Sequence, residues 1–435
     1  MPPLYFQARS EDYPRGLTTR LWLVLQSFLG RFFSNLSLAG LVLCYTHAQA
    51  GELRVGVMLA PKQRSPFEAT FTRFTRETGI EVHSINLPDA EYKSAMPMWL
   101  LEGKNPPDVV FWNASQRLFH YTEKGAVTPI SDLWKNEQLD QNFSHVKTAV
   151  TWKNEVYGLP VPYYHWGIYY RKSLLEQYGG VPASWEAFVA QCQKLQNAGI
   201  TPIGLGAMNH WPAAAWFDYL NLRINGLPFH QQLLTGKISF HDRRVQKVLT
   251  EWKRLIEPKF FNADSATLDW QEVLPFFYRK QMAFILIGNF VSTAFPPELL
   301  PDIGFMPFPS LSKQVASYEE APLDVLIIPK KAKNQVDAKT LIKFMARADV
   351  QSQLNESLGF LPPNKSGTVG QDAFIQAGAN LLKNAKGVAQ YFDRDTLPAF
   401  EAKAVPRLAA FVRHGNIQEL TNQLEQARIE VFGKH

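Results

Sequence analysis

The chain has 435 residues, of which 46% are hydrophobic and 19% are charged, and its formal net charge is +6. A chain of this length and apolar content can bury one large core or two medium ones, which excludes an intrinsically disordered protein. Its basic residues form no stripe interleaved with aromatic side chains, so nucleic-acid binding is not expected.

Residues 1–50 have the pattern of a secretory signal peptide. Several arginines precede an apolar run at 36–45, and the small-residue site Ala48-Gln49-Ala50 follows it directly before Gly51. A membrane anchor is the alternative, because residues 21–29 form a second apolar patch. Neither patch reaches the ~20 apolar residues that span a bilayer, so the sequence favours cleavage and export.

The sequence predicts different roles for its two cysteines, Cys44 and Cys192. A lipid anchor on Cys44 is disfavoured, because the preceding Leu43 is bulky where a small residue would be expected. After cleavage Cys192 is the single remaining cysteine, so no intramolecular disulfide is expected. Cys192 lies on the apolar stripe of a predicted helix and is interpreted as a small core residue rather than a nucleophile.

Strand and helix patterns alternate from the start of the predicted mature chain. In order, they predict a strand at 52–59, a helix at 68–79, a strand at 80–87, a helix at 90–103 and a buried strand at 106–112. Gly79 closes the first helix. Pro97 should kink or shorten the second.

The alternation continues towards the C-terminus. It predicts a helix at 184–199 with Ser184 as its N-cap, strands at 200–206, 280–290 and 324–331, and helices at 335–357 and from about residue 400. Such alternation is typical of a mostly parallel sheet with both faces covered, so the predicted fold class is α/β.

No local motif indicates catalysis, a metal or a cofactor. The G-x-S-x-G, Walker and H-E-x-x-H patterns are missing, and the histidines lack the local spacing of metal ligands. The run 204–209 begins like a G-x-G-x-x-G loop, but Asn209 stands where the third glycine belongs. The adjacent Glu319 and Glu320 could serve a glycosidase, although the pattern favours a solvated loop. No catalytic residue, metal or cofactor is therefore expected.

Aromatic residues stand beside neutral hydrogen-bonding groups at four places where a predicted strand gives way to a loop. These places are Trp112-Asn113, Tyr163 to Trp166, Asn209-His210-Trp211 and Asn289-Phe290. In open α/β sheets, ligands bind outside the carboxyl ends of the strands. Aromatic faces cover the C–H face of a sugar ring while amides and hydroxyls match its hydroxyl groups, so the pattern predicts a site for a neutral polyol.

The order and spacing of six segments resemble the sugar-binding extracellular solute-binding proteins of bacterial ABC importers, the maltodextrin-binding-protein-like family. The segments are 71–82, 106–130, 156–188, 281–290, 303–310 and 341–366. The resemblance implies a two-lobed periplasmic-binding-protein clamshell, in which each lobe is a central β-sheet flanked by helices and the chain crosses between lobes at a hinge. It implies lobe one at 51–164 plus 303–355, and lobe two at 165–302 plus 356–435.

The resemblance also implies a ligand site between the lobes. Tyr164 lies near the position of a ligand-binding acid in the family, and Phe290 takes the place of a stacking tryptophan, so maltodextrin itself is not expected. A smaller or differently decorated sugar, or another polar neutral solute, is expected instead. The predicted ligand-binding residues are Lys62 and Gln63 after the first strand, Trp112, Asn113, Tyr164, His165, Trp166, Asn209, Trp211, Asn289 and Phe290.

These inferences predict reversible binding without chemistry. The protein is expected to be a periplasmic or extracellular monomer that binds a carbohydrate and delivers it to the permease subunits of an ABC transporter. Two alternatives remain open at this stage. One is an exported carbohydrate hydrolase that uses dispersed acids such as Asp218, Glu320 or Asp324. The other is a binding protein that serves a chemoreceptor or a sensor kinase.

Overall fold

The structure is a computed structural model that describes residues 51–433, with the exception of residue 313. The predicted signal peptide, its alternative as a membrane anchor and Cys44 lie outside the described residues. Within the described part, every helix is too short or too polar to span a lipid bilayer.

The strands and helices of this part have the following bounds. The strands are β1 (Glu52–Val57), β2 (Glu81–Asn86), β3 (Val109–Asn113), β4 (Thr151–Trp152), β5 (Glu155–Val156), β6 (Leu159–Tyr163), β7 (Trp166–Arg171), β8 (Thr201–Gly204), β9 (Met282–Gly288), β10 (Ile303–Met306), β11 (Tyr318–Glu320), β12 (Leu323–Ile327) and β13 (Gly387–Ala389). The α-helices are α1 (Pro61–Thr78), α2 (Asp89–Pro97), α3 (Gln116–Thr122), α4 (Ser131–Asn136), α5 (Asp140–Phe143), α6 (Lys172–Tyr178), α7 (Trp185–Asn197), α8 (Trp211–Leu234), α9 (Arg243–Ile256), α10 (Trp270–Tyr278), α11 (Gln335–Met345), α12 (Ala348–Leu358), α13 (Ala373–Asn384), α14 (Pro398–His414) and α15 (Ile417–Phe432).

Two sheets organise the fold, and each anchors one lobe. The first sheet has the order β2-β1-β3-β12-β6, and the second has the order β10-β7-β9-β8. In the first, β1 runs parallel to β2 and β3, whereas β12 is antiparallel to β3 and β6. In the second, β9 is parallel to β8 but antiparallel to β7. The α/β class is confirmed, but the sheets are mixed rather than mostly parallel, because β7 follows β6 and β12 follows β11 directly, without a helical crossover.

Local signals in the sequence fix several element ends. Gly79 ends α1 with φ 75°, in the left-handed region that glycine adopts without strain. The Ser184 side chain accepts a hydrogen bond from the backbone N–H of Ala187 and so caps α7. The helix α2 ends at Pro97 and continues as one π-helical turn, Met98–Glu102, as the shortening by proline predicts.

Two backbone pairings join segments that the predicted lobe boundaries separate. Strand β10, predicted in lobe one from residue 303, pairs antiparallel with β7 of the second sheet. Leu361, predicted in lobe two, forms a bridge with Tyr163 of the first sheet. Lobe boundaries depend on backbone pairing between residues far apart in sequence, and local sequence patterns do not encode such pairing.

The adjacent acids Glu319 and Glu320 are a further correction. They lie on β11 and are fully buried, so they do not belong to a solvated loop. Glu319 is stabilised there by the buried Arg223, whose Nη2 lies 2.7 Å from Glu319 Oε1. Cys192 is also fully buried, in agreement with its prediction as a core residue.

Candidate ligand-binding site

A cavity of about 440 Å³ lies between the two lobes and is called the interlobe cavity below. This volume falls in the range of about 300–1,000 Å³ that small-molecule sites occupy. The structure brings seven of the eleven predicted residues to its wall, and these are Gln63, Asn113, Tyr164, Trp166, Asn209, Trp211 and Phe290.

Strand ends position these residues. Asn113 is the last residue of β3, and Phe290 follows the carboxyl end of β9. Trp211 opens α8, which follows β8 after a short loop. Trp166 begins β7, where it pairs antiparallel with Gly288 at the carboxyl end of β9. The site thus forms where open α/β sheets place ligands, outside the carboxyl ends of strands.

An aromatic wall forms the second-lobe side of the cavity. The Trp166 ring centroid lies 4.6 Å from Tyr391, 5.9 Å from Trp211 and 6.0 Å from Phe290. The ring of Trp270 contacts Phe290 edge to face at 5.2 Å. The rings are held by one another, so the wall offers a preformed apolar surface with little side-chain entropy left to lose on binding.

A hydrogen-bonded polar group faces this wall and is built on Asn113 and Asp324 of the first sheet. Asp324 Oδ1 accepts hydrogen bonds from Asn113 Nδ2 at 2.9 Å and from Arg394 Nη1 at 2.6 Å. Arg394 Nη2 also donates to the Tyr164 hydroxyl at 2.9 Å. Burial raises the pKa of Tyr164 well above its usual value, so the phenol stays neutral and accepts this bond.

Charged residues that the sequence interpretation missed also line the cavity. They are Asp89, Lys93, Asp393 and Arg394. Burial by itself would raise the pKa of Asp393, but the nearby cations Arg117, Arg394 and Lys93 lower it by more. The pKa of Asp393 therefore lies below its usual value, and the carboxyl group is ionised. Its Oδ2 pairs with Arg117 at 3.0 Å, while its buried Oδ1 has no hydrogen-bond partner among the described residues.

The sequence interpretation did not include segment 391–395 in the site, although one feature of its sequence could have indicated it. Its sequence, Tyr-Phe-Asp-Arg-Asp, places two aromatic residues before alternating charges in a stretch between two helices. Tyr391 has φ 119°, a conformation that bulky residues adopt only where the surroundings enforce it. Its hydroxyl donates to the Trp211 carbonyl at 2.6 Å, which ties this segment to the start of α8.

Comparison with known protein families identifies the chain at this point. The model of the bacterial extracellular solute-binding protein family matches residues 60–352, about two thirds of the chain. The chain belongs to this family. Family membership places its action outside the cytoplasm and makes it one of the solute-binding proteins.

Curated relatives agree with this membership over part of their length. An uncharacterized ABC transporter extracellular-binding protein of Pyrococcus horikoshii is 28% identical over 283 residues, which cover 63% of this chain and 62% of the relative. The osmoprotective compounds-binding protein of Synechocystis is 22% identical over 284 residues, covering 60% and 64%. The aligned part of this solute-binding protein therefore spans less than two thirds of each relative.

Solved structures confirm the two-lobed fold. A bacterial solute receptor, AcbH, described as having an exclusive preference for β-D-galactopyranose, has a TM-score of 0.82 at 24% identity; the match covers 88% of this chain and 100% of that one. The maltose-bound MalE3 of T. maritima has a TM-score of 0.73 at 18% identity, covering 88% and 100%. The raffinose complex of RafE has a TM-score of 0.73 at 18% identity, covering 86% and 98%.

Two further predicted residues of the solute-binding protein point away from the interlobe cavity. Trp112 is buried within the first lobe, where its Nε1 donates to the Arg117 carbonyl at 3.2 Å. His165 is fully buried against Phe305, and burial lowers its pKa to about 3, so it is neutral. In extended chain, neighbouring side chains point to opposite sides. Asn113 and Tyr164 therefore face the cavity, whereas Trp112 and His165 face the core.

The remaining two predicted residues hold the lobes together. The Asn289 side chain accepts from the Tyr169 hydroxyl at 2.7 Å and donates to the Gly359 carbonyl. Lys62 lies in the first turn of α1 rather than in a loop, and its ammonium donates to the Thr293 carbonyl across the cleft. Neither side chain lines the interlobe cavity.

Proposed function

We propose that this solute-binding protein binds a neutral sugar, or a polar solute of similar size, in the interlobe cavity and delivers it to the permease of an ABC transporter. It acts as a monomer in the periplasm, after removal of the predicted signal peptide. The observation that carries the proposal is the pairing of the Trp166–Trp211–Phe290–Tyr391 wall with hydrogen-bonding groups on the facing lobe. The wall covers the C–H face of a sugar ring, and the facing groups match its hydroxyls.

The charges of the cavity support a neutral solute. The two lining acids, Asp89 and Asp393, are balanced by the two lining cations, Lys93 and Arg394. Asp89 and Lys93 form an ion pair at 3.0 Å. A cavity with balanced charge gives no preference to an anion or a cation, while its carboxylate oxygens and guanidinium N–H groups can still bond sugar hydroxyls.

The named ligands of two similar structures point the same way. The receptor AcbH is described as preferring β-D-galactopyranose, and RafE is described in complex with raffinose. Two relatives from Pyrococcus horikoshii carry ABC transporter names, which supports a permease as the partner.

Binding without turnover is favoured over a hydrolase. Two of the candidate acids, Asp218 and Glu320, are fully buried and do not line the interlobe cavity. The third, Asp324, does not line the interlobe cavity, and its Oδ1 accepts hydrogen bonds from both Asn113 and Arg394. Incubation with a bound sugar is expected to return the sugar intact, and accumulation of a hydrolysis product would favour the enzyme.

Calorimetry against a panel of neutral mono- and oligosaccharides tests the binding proposal. At least one sugar is expected to bind, and Trp211→Ala should weaken that binding about tenfold or more, because one face of the aromatic wall is lost. Trp152→Ala is the matched control, since Trp152 is a half-buried tryptophan that packs on Phe119 in the first lobe, outside the cavity. Equal affinity of wild type and Trp211→Ala would overturn the proposed site.

A further inference from the structure

A second cavity, of about 320 Å³, lies behind the interlobe cavity, and three extended segments of the chain separate the two. It is called the rear cavity below. Along each of these segments, one residue lines the interlobe cavity and its neighbour lines the rear cavity. These pairs are Tyr164 and Tyr163, Pro322 and Leu323, and Tyr391 and Gln390. The alternation follows from extended backbone, in which consecutive side chains point to opposite sides.

The interior of the rear cavity is apolar. Its wall includes Val146, Leu323, Leu361, Leu382 and Val388. A volume of about 320 Å³ lies at the lower end of the range of about 300–1,000 Å³ for small-molecule sites. The interior can therefore bury the apolar body of a small organic molecule.

The rim of the rear cavity is basic. Lys365 and Lys383 line it and are exposed, and none of its described lining residues is an acid. Lys365 Nζ donates to Ser144 Oγ at 3.2 Å, and neither lysine forms an ion pair within the described part of the chain. His145, the other titratable base on this wall, has a pKa lowered by burial and by Lys365, so the neutral imidazole adds no charge to the rim. Two ammonium groups beside an apolar interior match a molecule with one anionic end.

We propose that the rear cavity is a second binding site, which takes a small amphipathic carboxylate. The apolar body of this molecule lies against Leu323, Leu361 and Leu382, and its carboxylate reaches Lys365 and Lys383 at the rim. The two lysines at the rim favour an anionic ligand, whereas the interlobe cavity is proposed to bind a neutral solute. The proposal does not depend on the identity of that solute.

Titration of the purified protein with octanoate, in the absence of any sugar, tests the proposal. Octanoate is expected to bind at least tenfold more tightly than 1-octanol, which lacks the charge, and than acetate, which lacks the apolar body. Equal binding of octanoate and 1-octanol would contradict a site for an anion. Failure of octanoate to bind would overturn the site, while leaving the sugar-binding experiment untouched.

Variants locate the binding. The double variant Lys365→Gln/Lys383→Gln should lose octanoate affinity at least tenfold, whereas Lys333→Gln, an exposed lysine outside the cavity, should bind as wild type. Ala379→Trp fills the rear cavity without changing its charge and should also lose octanoate binding. Wild-type affinity in both the double variant and Ala379→Trp would place octanoate elsewhere and refute the proposal.

Discussion

Tyr164 contributes to the interlobe cavity through its hydroxyl as well as its ring. The hydroxyl accepts a hydrogen bond from Arg394 at 2.9 Å, and the ring stacks on Phe360 at 5.0 Å. Arg394 in turn donates to Asp324. The side chain thus joins the link between β6 and β7 to segment 391–395, which comes from a distant part of the sequence.

Tyr164→Phe removes only the acceptor for Arg394 and keeps the ring. A hydrogen bond of this kind contributes about 0.5–1.5 kcal/mol, so we expect the affinity for the bound sugar to fall about threefold to tenfold. The free energy of unfolding should fall by about 1 kcal/mol. Calorimetry and urea denaturation measure the two quantities.

The control for this variant is Tyr157→Phe. Tyr157 is half-buried, lines neither of the two cavities, and its hydroxyl has no hydrogen bond within the described residues. It should bind the sugar as wild type does. An unchanged affinity in Tyr164→Phe would show that Arg394 needs no acceptor at this position.

At the scale of elements, helix α13 packs directly on the link between β6 and β7. A Cβ atom added at Gly378 would collide with the ring of His165, which itself lies edge to face on Phe305 at 4.8 Å. Glycine is needed here for close approach rather than for backbone conformation, because Gly378 lies inside a helix. His165 therefore has a packing role between β7 and α13.

Gly378→Ala is expected to lower the free energy of unfolding by about 1–3 kcal/mol, the usual cost of overpacking a buried contact. Thermal or urea unfolding measures the loss. His165→Ala removes the colliding ring, so the double variant should be less destabilised than the sum of the two single variants. If the losses in the free energy of unfolding of the two single variants simply add up in the double variant, Gly378 and His165 do not restrict each other.

At the scale of the whole molecule, two buried carboxyl groups have no cationic partner among the residues that the structure describes. Asp218 on α8 and Glu320 on β11 are both fully buried, and among the described residues the only basic side chain within 4.0 Å of their oxygens is His230, whose Nε2 lies 4.0 Å from Asp218 Oδ1. Burial lowers the pKa of His230 to about 3, so it stays neutral. The other charged groups that face the pair are Asp393, Asp395 and Glu319. Burial, followed by the neighbouring acids, raises the pKa of both carboxyl groups well above their usual values.

The direction of the pH effect follows from these raised pKa values. Above the unfolded pKa of about 4, the folded state holds more protons than the unfolded state. The free energy of unfolding should therefore decrease as pH rises towards the folded pKa values. Glu320→Gln removes one of the two titrating groups and should make this decrease shallower, as measured by urea denaturation between pH 5 and about pH 8.

The exposed Glu298→Gln is the matched control and should keep the wild-type slope. A Glu320→Gln variant whose stability declines with pH as steeply as that of wild type would contradict the assignment. Since Asp218 and Glu320 lie outside the interlobe cavity, Glu320→Gln should leave the sugar affinity close to wild type.

Much of the architecture could be predicted from local patterns. Cys192 is buried as its place on the apolar stripe of a helix predicts, and Ser184 caps α7. Such signals work because 3.6-residue periodicity and capping depend on near neighbours in the chain. The order of motifs along the chain also identified the family, which the match to residues 60–352 confirms.

The sequence by itself determined the α/β class, the family and most of the aromatic wall, because these follow from periodicity, local capping and the order of segments. Only the tertiary structure decided which member of a neighbouring pair faces the ligand, as with Trp112 and Asn113, and that Asp393 and Arg394 reach a site built around Asn113. The physical reason is that strand pairing and ion pairing join residues hundreds of positions apart, and no local pattern records those contacts.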